Sequence, residues 1–326
     1  MDLAMSQMIT IAGYIPVSVS SLVPKSTVGV SLYVKFDEQE MRLYCDADAV
    51  FENGHLDTLQ ARGLNTLFIS SEERGEYQKY LRDNTANIVS DESISVTARF
   101  DSLNNIIRDV LATAFNDHDH DHDLDSTVDQ VRNLAEYTVD LIARDDIMAV
   151  DLLEVMHHDY QTFTHSANVS YYCVMLAKAL QISDPQTMRE IATGALLHDL
   201  GKLEIPEAIL CKPGKLTDCE FDTIKNHPRT GLLSLSDRSD LSFAQLMMVY
   251  QHHERLDGGG YPVGTVGDEI HDWAKLCSVV DVFEALTSNR PYRSGLPIST
   301  AFSILERDSG RAFDPEMIQC WKSTIR

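Results

Sequence analysis

The chain has 326 residues, 44% of them hydrophobic, and its 50 acidic against 27 basic side chains give a formal net charge of -23. This length favours two folded units, and the acidic balance argues against a nucleic-acid polymer or an anionic membrane surface as a bulk partner; a small phosphate ligand stays open where metal ions or local cations neutralise it. The six cysteines (Cys45, Cys173, Cys211, Cys219, Cys277 and Cys320) make no CxxC pair and no dense framework, which fits reduced thiols in a cytosol.

No basic start followed by an apolar core and a small-residue cleavage site opens the chain, and no apolar run is long enough to cross a bilayer. The expectation is a soluble, cytoplasmic protein without membrane insertion. Residues 1–92 read as a small α/β module. Apolar alternation at Val28, Val30, Leu32 and Val34, continued in Glu40 to Tyr44, predicts short strands. Phe51 to Arg62 predicts a helix with Asn53 at its cap, Thr66 to Ile69 a strand, and Ser70 to Tyr80 a helix opened by Ser-Ser-Glu-Glu. The module holds no phosphate loop and no cysteine or histidine cluster, so it reads as a regulatory or interaction module.

Residues 93–145 read as linking helices. Leu103, Ile106, Ile107, Val110, Leu111 and Ala114 form one apolar stripe, and Val128, Val131, Leu134, Ala135 and Leu141 another. These stripes serve either a homodimer or packing on the following domain. Between them, Asp117 to Asp125 alternates acid and histidine; it reads as a solvated loop rather than a metal site, since no scaffold holds it. Residues 146–326 predict an all-α domain, with helix-like spacing over Leu152 to His165, Val169 to Leu180, Thr187 to Leu197, Asp218 to His227, Phe243 to His252, Lys275 to Leu286 and Thr300 to Glu306. The overall fold class is therefore α+β, a helical domain preceded by a small α/β module.

The chemistry is concentrated between His198 and Pro262. Imidazoles and carboxylates bind borderline divalent metals, and a carboxylate has two oxygens with which to bridge two ions. His198 and Asp199 are adjacent and would point about 100 degrees apart on a straight helix; near a helix end, before Gly201, they can share one metal. His227 precedes Pro228, and His252, His253 and Glu254 precede the glycine-rich turn Gly258-Gly259-Gly260. His165 alone could be a satisfied core histidine, and His227 alone a helix C-terminal residue favoured by the dipole.

Together, HDLGK, KPGKLT, His227-Pro228, HHERLDGGGYP and DVFEALTSNRPYR resemble the HD-GYP branch of the HD superfamily of metal-dependent phosphohydrolases, over about half the chain. The resemblance implies a cyclic di-GMP phosphodiesterase that releases 5'-pGpG, with slow further cleavage to GMP as an extension, through a hydroxide held between two metals. It implies metal ligands at His165, His198, Asp199, His227, His252, His253 and Asp281, with Asp199 bridging. Lys202, near the same face as Asp199, is expected to contact the scissile phosphate, and Tyr261, Arg290 and Arg293 to bind substrate. Some relatives carry a third ion on a glutamate four residues before the histidine matching His165; Gln161 stands there, so two divalent ions are expected, iron or manganese, with nickel, cobalt or zinc as substitutes. Glu254 is expected to orient a ligand histidine or a nearby loop. Two alternatives stay open: a cyclic di-GMP receptor with little turnover, exchanging signals with protein partners through the GYP loop or the N-terminal module, and an HD hydrolase of another nucleotide.

Overall fold

The computed structural model describes residues 13–36, 40–64, 66–91, 96–116, 124–143, 162–210, 212, 214–289 and 294–325. They fall into two compact units, Met1–Asp109 and Val110–Arg326. The first unit is built on an antiparallel sheet in the order β1 (Tyr14–Ser18), β6 (Thr66–Ser70), β3 (Leu32–Lys35) and β4 (Met41–Cys45); β2 (Ser26–Thr27) and β5 (Val50–Phe51) form a separate two-stranded pair. Tyr14 pairs with Ser70 and Ser18 with Thr66, so β6 lies between β1 and β3. Leu67 and Ile69 alternate into the core and are fully buried, as period-two side-chain geometry requires. Helix α1 (Asn53–Ala61) precedes β6, and α2 (Arg74–Ser90) follows it. The Tyr77 hydroxyl meets the Ser21 hydroxyl at 2.6 Å, and the Val23 N–H donates to the Tyr80 hydroxyl at 2.7 Å. Ser71–Glu73 is a 3-10 turn rather than the expected cap: Glu73 precedes α2 without a side-chain capping bond.

Helix α3 (Val96–Asn116) contains the boundary between the units, and α4 (Leu124–Ala143) follows. Both apolar stripes are buried at Leu103, Ile106, Ile107, Val110 and Leu111 and at Val128, Val131, Leu134, Ala135 and Leu141. Of the acid-histidine tract between them, residues 117–123 lie outside the described residues, and Asp125 accepts a bond from Arg238 at 2.5 Å on the surface.

After α4, the described residues of the second unit form the helices α5 (Thr162–Ala179), α6 (Pro185–Leu197), α7 (Glu207–Leu210), α8 (Asp218–Ile224), α9 (His227–Leu235), α10 (Phe243–Gln251), α11 (Asp272–Thr287), α12 (Ile298–Arg307) and α13 (Pro315–Thr324), with the 3-10 turn Leu200–Glu204 after α6. Helix α5 is buried on all sides from Ala167 to Ala177, which makes it the central element; α6, α11 and α4 pack on it, and α4 also packs along α6. The α4 stripe is thus covered within its own unit. Tyr172, Phe283, Phe302 and Trp321 form an aromatic core with adjacent ring centroids 5.0–5.7 Å apart.

Three expectations need correction. Helix α5 runs unbroken through Ser166, Ala167 and Asn168, where a break between His165 and Val169 was expected; the polar pair masks the pattern because both residues are buried. His227 opens α9 instead of closing α8, with Pro228 at a first-turn position where its missing N–H costs nothing. Helix α13 was not expected; Asp314 caps it by accepting from the Glu316 and Met317 N–H groups. Among the described residues, no helix is long and apolar enough to cross a membrane.

Candidate metal centre

Helix α6 begins at Pro185, where the Asp184 carboxylate accepts from the Thr187 N–H at 2.8 Å, and it ends at Leu197. His198 keeps helical angles as the C-cap, while Asp199 turns out of the helix at φ -97, ψ 6. This turn lets two adjacent residues serve one centre. Gly201 is packed against the start of α9, where an added Cβ would overlap the His227 carbonyl oxygen and the Gly231 nitrogen. The requirement for glycine here is steric, and the close approach brings His227 beside Asp199. His252 caps the end of α10 with His253 next in the chain, His165 comes from α5 and Asp281 from α11.

Three imidazoles are oriented by a common local device. His198 Nδ1 donates to the Ala195 carbonyl at 2.6 Å, His227 Nδ1 to Ile224 at 2.8 Å and His252 Nδ1 to Val249 at 2.9 Å, each three residues back. With Nδ1 committed as donor, each Nε2 keeps its lone pair. Those lone pairs converge on Asp199: His198 Nε2 lies 3.4 Å from Oδ2, His227 Nε2 3.3 Å from Oδ1, and His252 Nε2 3.9 Å from Oδ1. His165 Nε2 lies 3.7 Å from Asp199 Oδ2 and 3.1 Å from Asp281 Oδ1, and His253 Nδ1 is 3.9 Å from Asp281 Oδ2. Two groupings share Asp199, one with His165 and His198, the other with His227, His252 and His253.

Burial holds His227, His252 and His253 neutral. It lowers His227 to about 3 and His253 to about 4, and it carries His252 well below the usual histidine range. Burial opposes ionisation of Asp199, yet Lys202 and the surrounding histidines keep its carboxyl well below the usual range; Asp281 is likewise held low against burial by His165. For His165, burial lowers the pKa but Glu284 and Asp281 outweigh it and raise the group well above the ordinary value.

The arrangement fits a divalent cation. His198 Nε2 and Asp199 Oδ1 are buried with no hydrogen-bond partner, and the Nε2 atoms of His227 and His252 face each other at 3.2 Å although both rings already donate through Nδ1. Neutral lone pairs and carboxylate oxygens aimed at the same small volume repel one another unless a cation lies among them, and a nitrogen and oxygen donor set without thiolate suits borderline first-row metals.

Lys202 sits at the edge, its ammonium 2.5 Å from Asp199 Oδ2. The Tyr261 ring lies over His253 with centroids 4.7 Å apart, and the Tyr261 backbone N–H donates to the His253 carbonyl at 3.2 Å. Arg290, Arg293 and Gln161 lie outside the described residues. Glu254 serves the loop rather than a histidine: its carboxylate accepts from the N–H groups of Val263, Gly264 and Thr265 at 2.9, 3.1 and 3.0 Å. Glu284 was not anticipated. It is 1% exposed and accepts from His165 Nδ1 at 2.5 Å, from Asn168 Nδ2 at 3.1 Å and from the Ser288 hydroxyl at 2.6 Å. A signal existed in the sequence, since Asp281 and Glu284 stand three apart in α11, as do His165 and Asn168 in α5.

A helical domain that converges histidines from several helices on one shared aspartate, at a His-Asp pair closing a helix, defines the class of HD-type metal-site domains. The HD domain family matches residues 151–317, and this chain belongs to it, in the HD-GYP branch. The cyclic di-GMP phosphodiesterase PA4108 of Pseudomonas aeruginosa is 36% identical over 176 residues, 54% of this chain and 42% of the relative. The 3'3'-cGAMP-specific phosphodiesterase 3 of Vibrio cholerae serotype O1 is 39% identical over 167 residues, 50% of this chain and 35% of the relative. The chain thus spans less than half the length of these curated relatives. Bd1817, an HDG"Y"P protein from Bdellovibrio bacteriovorus, has the same fold, with a TM-score of 0.67 over 95% of this chain and 98% of its own at 23% identity.

Proposed function

We propose that residues 146–326 are the catalytic domain of a metal-dependent phosphodiesterase that opens cyclic di-GMP to 5'-pGpG, and that residues 1–92 are its regulatory or interaction module. The observation that carries this reading is the sharing of Asp199 by two sets of ligand atoms, with buried His198 Nε2 and Asp199 Oδ1 left unpartnered. In this reading His165, His198 and Asp199 would hold one ion and Asp199, His227, His252 and His253 a second, while Asp281 offers one oxygen toward His165 and the other toward His253. Divalent ions of the iron or manganese kind, held there, would supply Lewis acidity to a phosphodiester and lower the pKa of a water so that its hydroxide is available as nucleophile at neutral pH. The chain's own residues hold and orient the substrate. Lys202 presents an ammonium at the rim to a non-bridging phosphate oxygen, Tyr261 offers a ring face beside His253, and Arg290 and Arg293 supply planar donors for phosphate or guanine.

The 39% identity to a relative named as cGAMP-specific favours a second reading, in which the preferred ring is 3'3'-cGAMP. Protein purified without oxygen, loaded separately with iron and manganese, should be assayed on cyclic di-GMP and on 3'3'-cGAMP with products separated by chromatography. Accumulation of pGpG is the expected result. Preference for cGAMP moves the substrate assignment to the second reading, and rapid conversion to GMP removes the argument that Gln161 limits the site to two ions. Binding of cyclic di-GMP without turnover on either metal would make the protein a receptor.

A further inference from the structure

Glu284 lies on the far side of His165 from the ligand cluster, and three donors point at its carboxylate: His165 Nδ1, Asn168 Nδ2 and the Ser288 hydroxyl. The Asn168 side chain keeps this orientation although its own Oδ1 is then buried without a partner. Such convergence suits an anionic acceptor and leaves His165 Nδ1 the donor, so Nε2 is the atom that faces Asp199 and Asp281 and the one that offers a lone pair to a cation when it gives up its proton. His198, His227 and His252 obtain the same tautomer from a carbonyl three residues back; among these four rings, His165 alone is set by a side chain. Its partner is 119 residues distant in sequence.

We infer that Glu284 is a positioning residue for one of the two ions: through His165 it sets the affinity of the position formed by His165, His198 and Asp199, and it leaves the position formed by Asp199, His227, His252 and His253 unaffected. The inference rests on the two-ion reading above. A carboxylate behind a ligand histidine fixes its ring and raises its basicity, and loss of such a partner weakens metal binding by about 10- to 100-fold. Glu284→Gln keeps the shape and an acceptor oxygen but removes the charge and turns an amide N–H₂ toward one of the donors. Glu284→Asp keeps the charge on a shorter arm.

Metal-stripped full-length protein is titrated with Mn(II), and free ion is followed by its electron paramagnetic resonance signal. The wild type should bind two ions per chain. In Glu284→Gln, one binding constant should weaken by about 10- to 100-fold while the other stays within about threefold, and Glu284→Asp should weaken the same constant by less. In a His165→Ala background, where only the other position remains, adding Glu284→Gln should change nothing, because a residue acting through His165 has lost its route. Equal loss of both constants, no loss of either, or a further loss in the His165→Ala background overturns the inference. A wild type that binds a single ion instead overturns the two-ion reading itself. If Glu284→Gln does not fold as judged by circular dichroism of the metal-free protein, the Glu284→Asp titration decides alone: one weakened constant sustains the inference, while two or none defeats it.

Discussion

Glu254→Gln tests how the glycine-rich loop is held beside the cluster. The carboxylate is 2% exposed and accepts from three successive backbone N–H groups, those of Val263 and Gly264 on Oε1 and that of Thr265 on Oε2. A hydrogen bond to a charged group contributes about 1.5–3 kcal/mol, so the clamp is worth several kcal/mol in gross terms. The glutamine retains one oxygen for Val263 and Gly264 but turns an amide donor toward the Thr265 N–H. Thr265 is half-buried, so its N–H, the one freed from the clamp, is partly rehydrated. A net loss of about 2–3 kcal/mol against loop opening remains, since the penalty combines one lost charged bond with one donor–donor contact. At about 1.4 kcal/mol per tenfold, the amides of residues 263–265 should exchange with deuterium about 30- to 150-fold faster, with α5 and α11 unchanged. Protection within about threefold of wild type, or a loss spread evenly over the helical unit, would refute the clamp.

Two further outcomes follow from the packing and the charges. Gly201→Ala drives a methyl group into backbone atoms of His227 and Gly231, which have no rotamer to yield, so denaturation should show a loss of about 3 kcal/mol; a loss under about 1 kcal/mol would contradict the close approach. For chelator-treated protein, His227 near 3 and His253 near 4 take up protons in the unfolded chain from about pH 6.5 downward but in the folded chain only far lower, so stability should fall with acidity between about pH 6.5 and 4. His165, raised above its ordinary value, acts in the opposite direction and loses its contribution as pH rises through its folded pKa, placing the maximum near pH 6.5. Urea titrations at several pH values check this; a flat profile between 4.5 and 6.5 would show that the histidines are not buried as neutral rings.

Much of this protein is legible in the chain itself because much of it is local. The order of strands and helices in residues 13–90 follows from period-two and period-3.6 spacing, and capped starts such as Asp184-Pro185 and Thr217-x-x-Glu220 carry their own hydrogen-bond partners. The orientation of His198, His227 and His252 is local too, since each ring bonds a carbonyl three residues back. What the residue order cannot express is a relation carried by packing. The placement of β6 between β1 and β3 joins strands far apart in sequence, and α5 hides its continuity because a helix buried on every side has no amphipathic rhythm to read. Composition and motif supply the donors of the centre, but the pairing of His165 with Asp281 and Glu284 exists only where α5 and α11 pack together. Sequence spacing sets the direction of a side chain relative to its own helix, whereas a metal position is an intersection of directions from several helices, which the tertiary fold alone brings to one point.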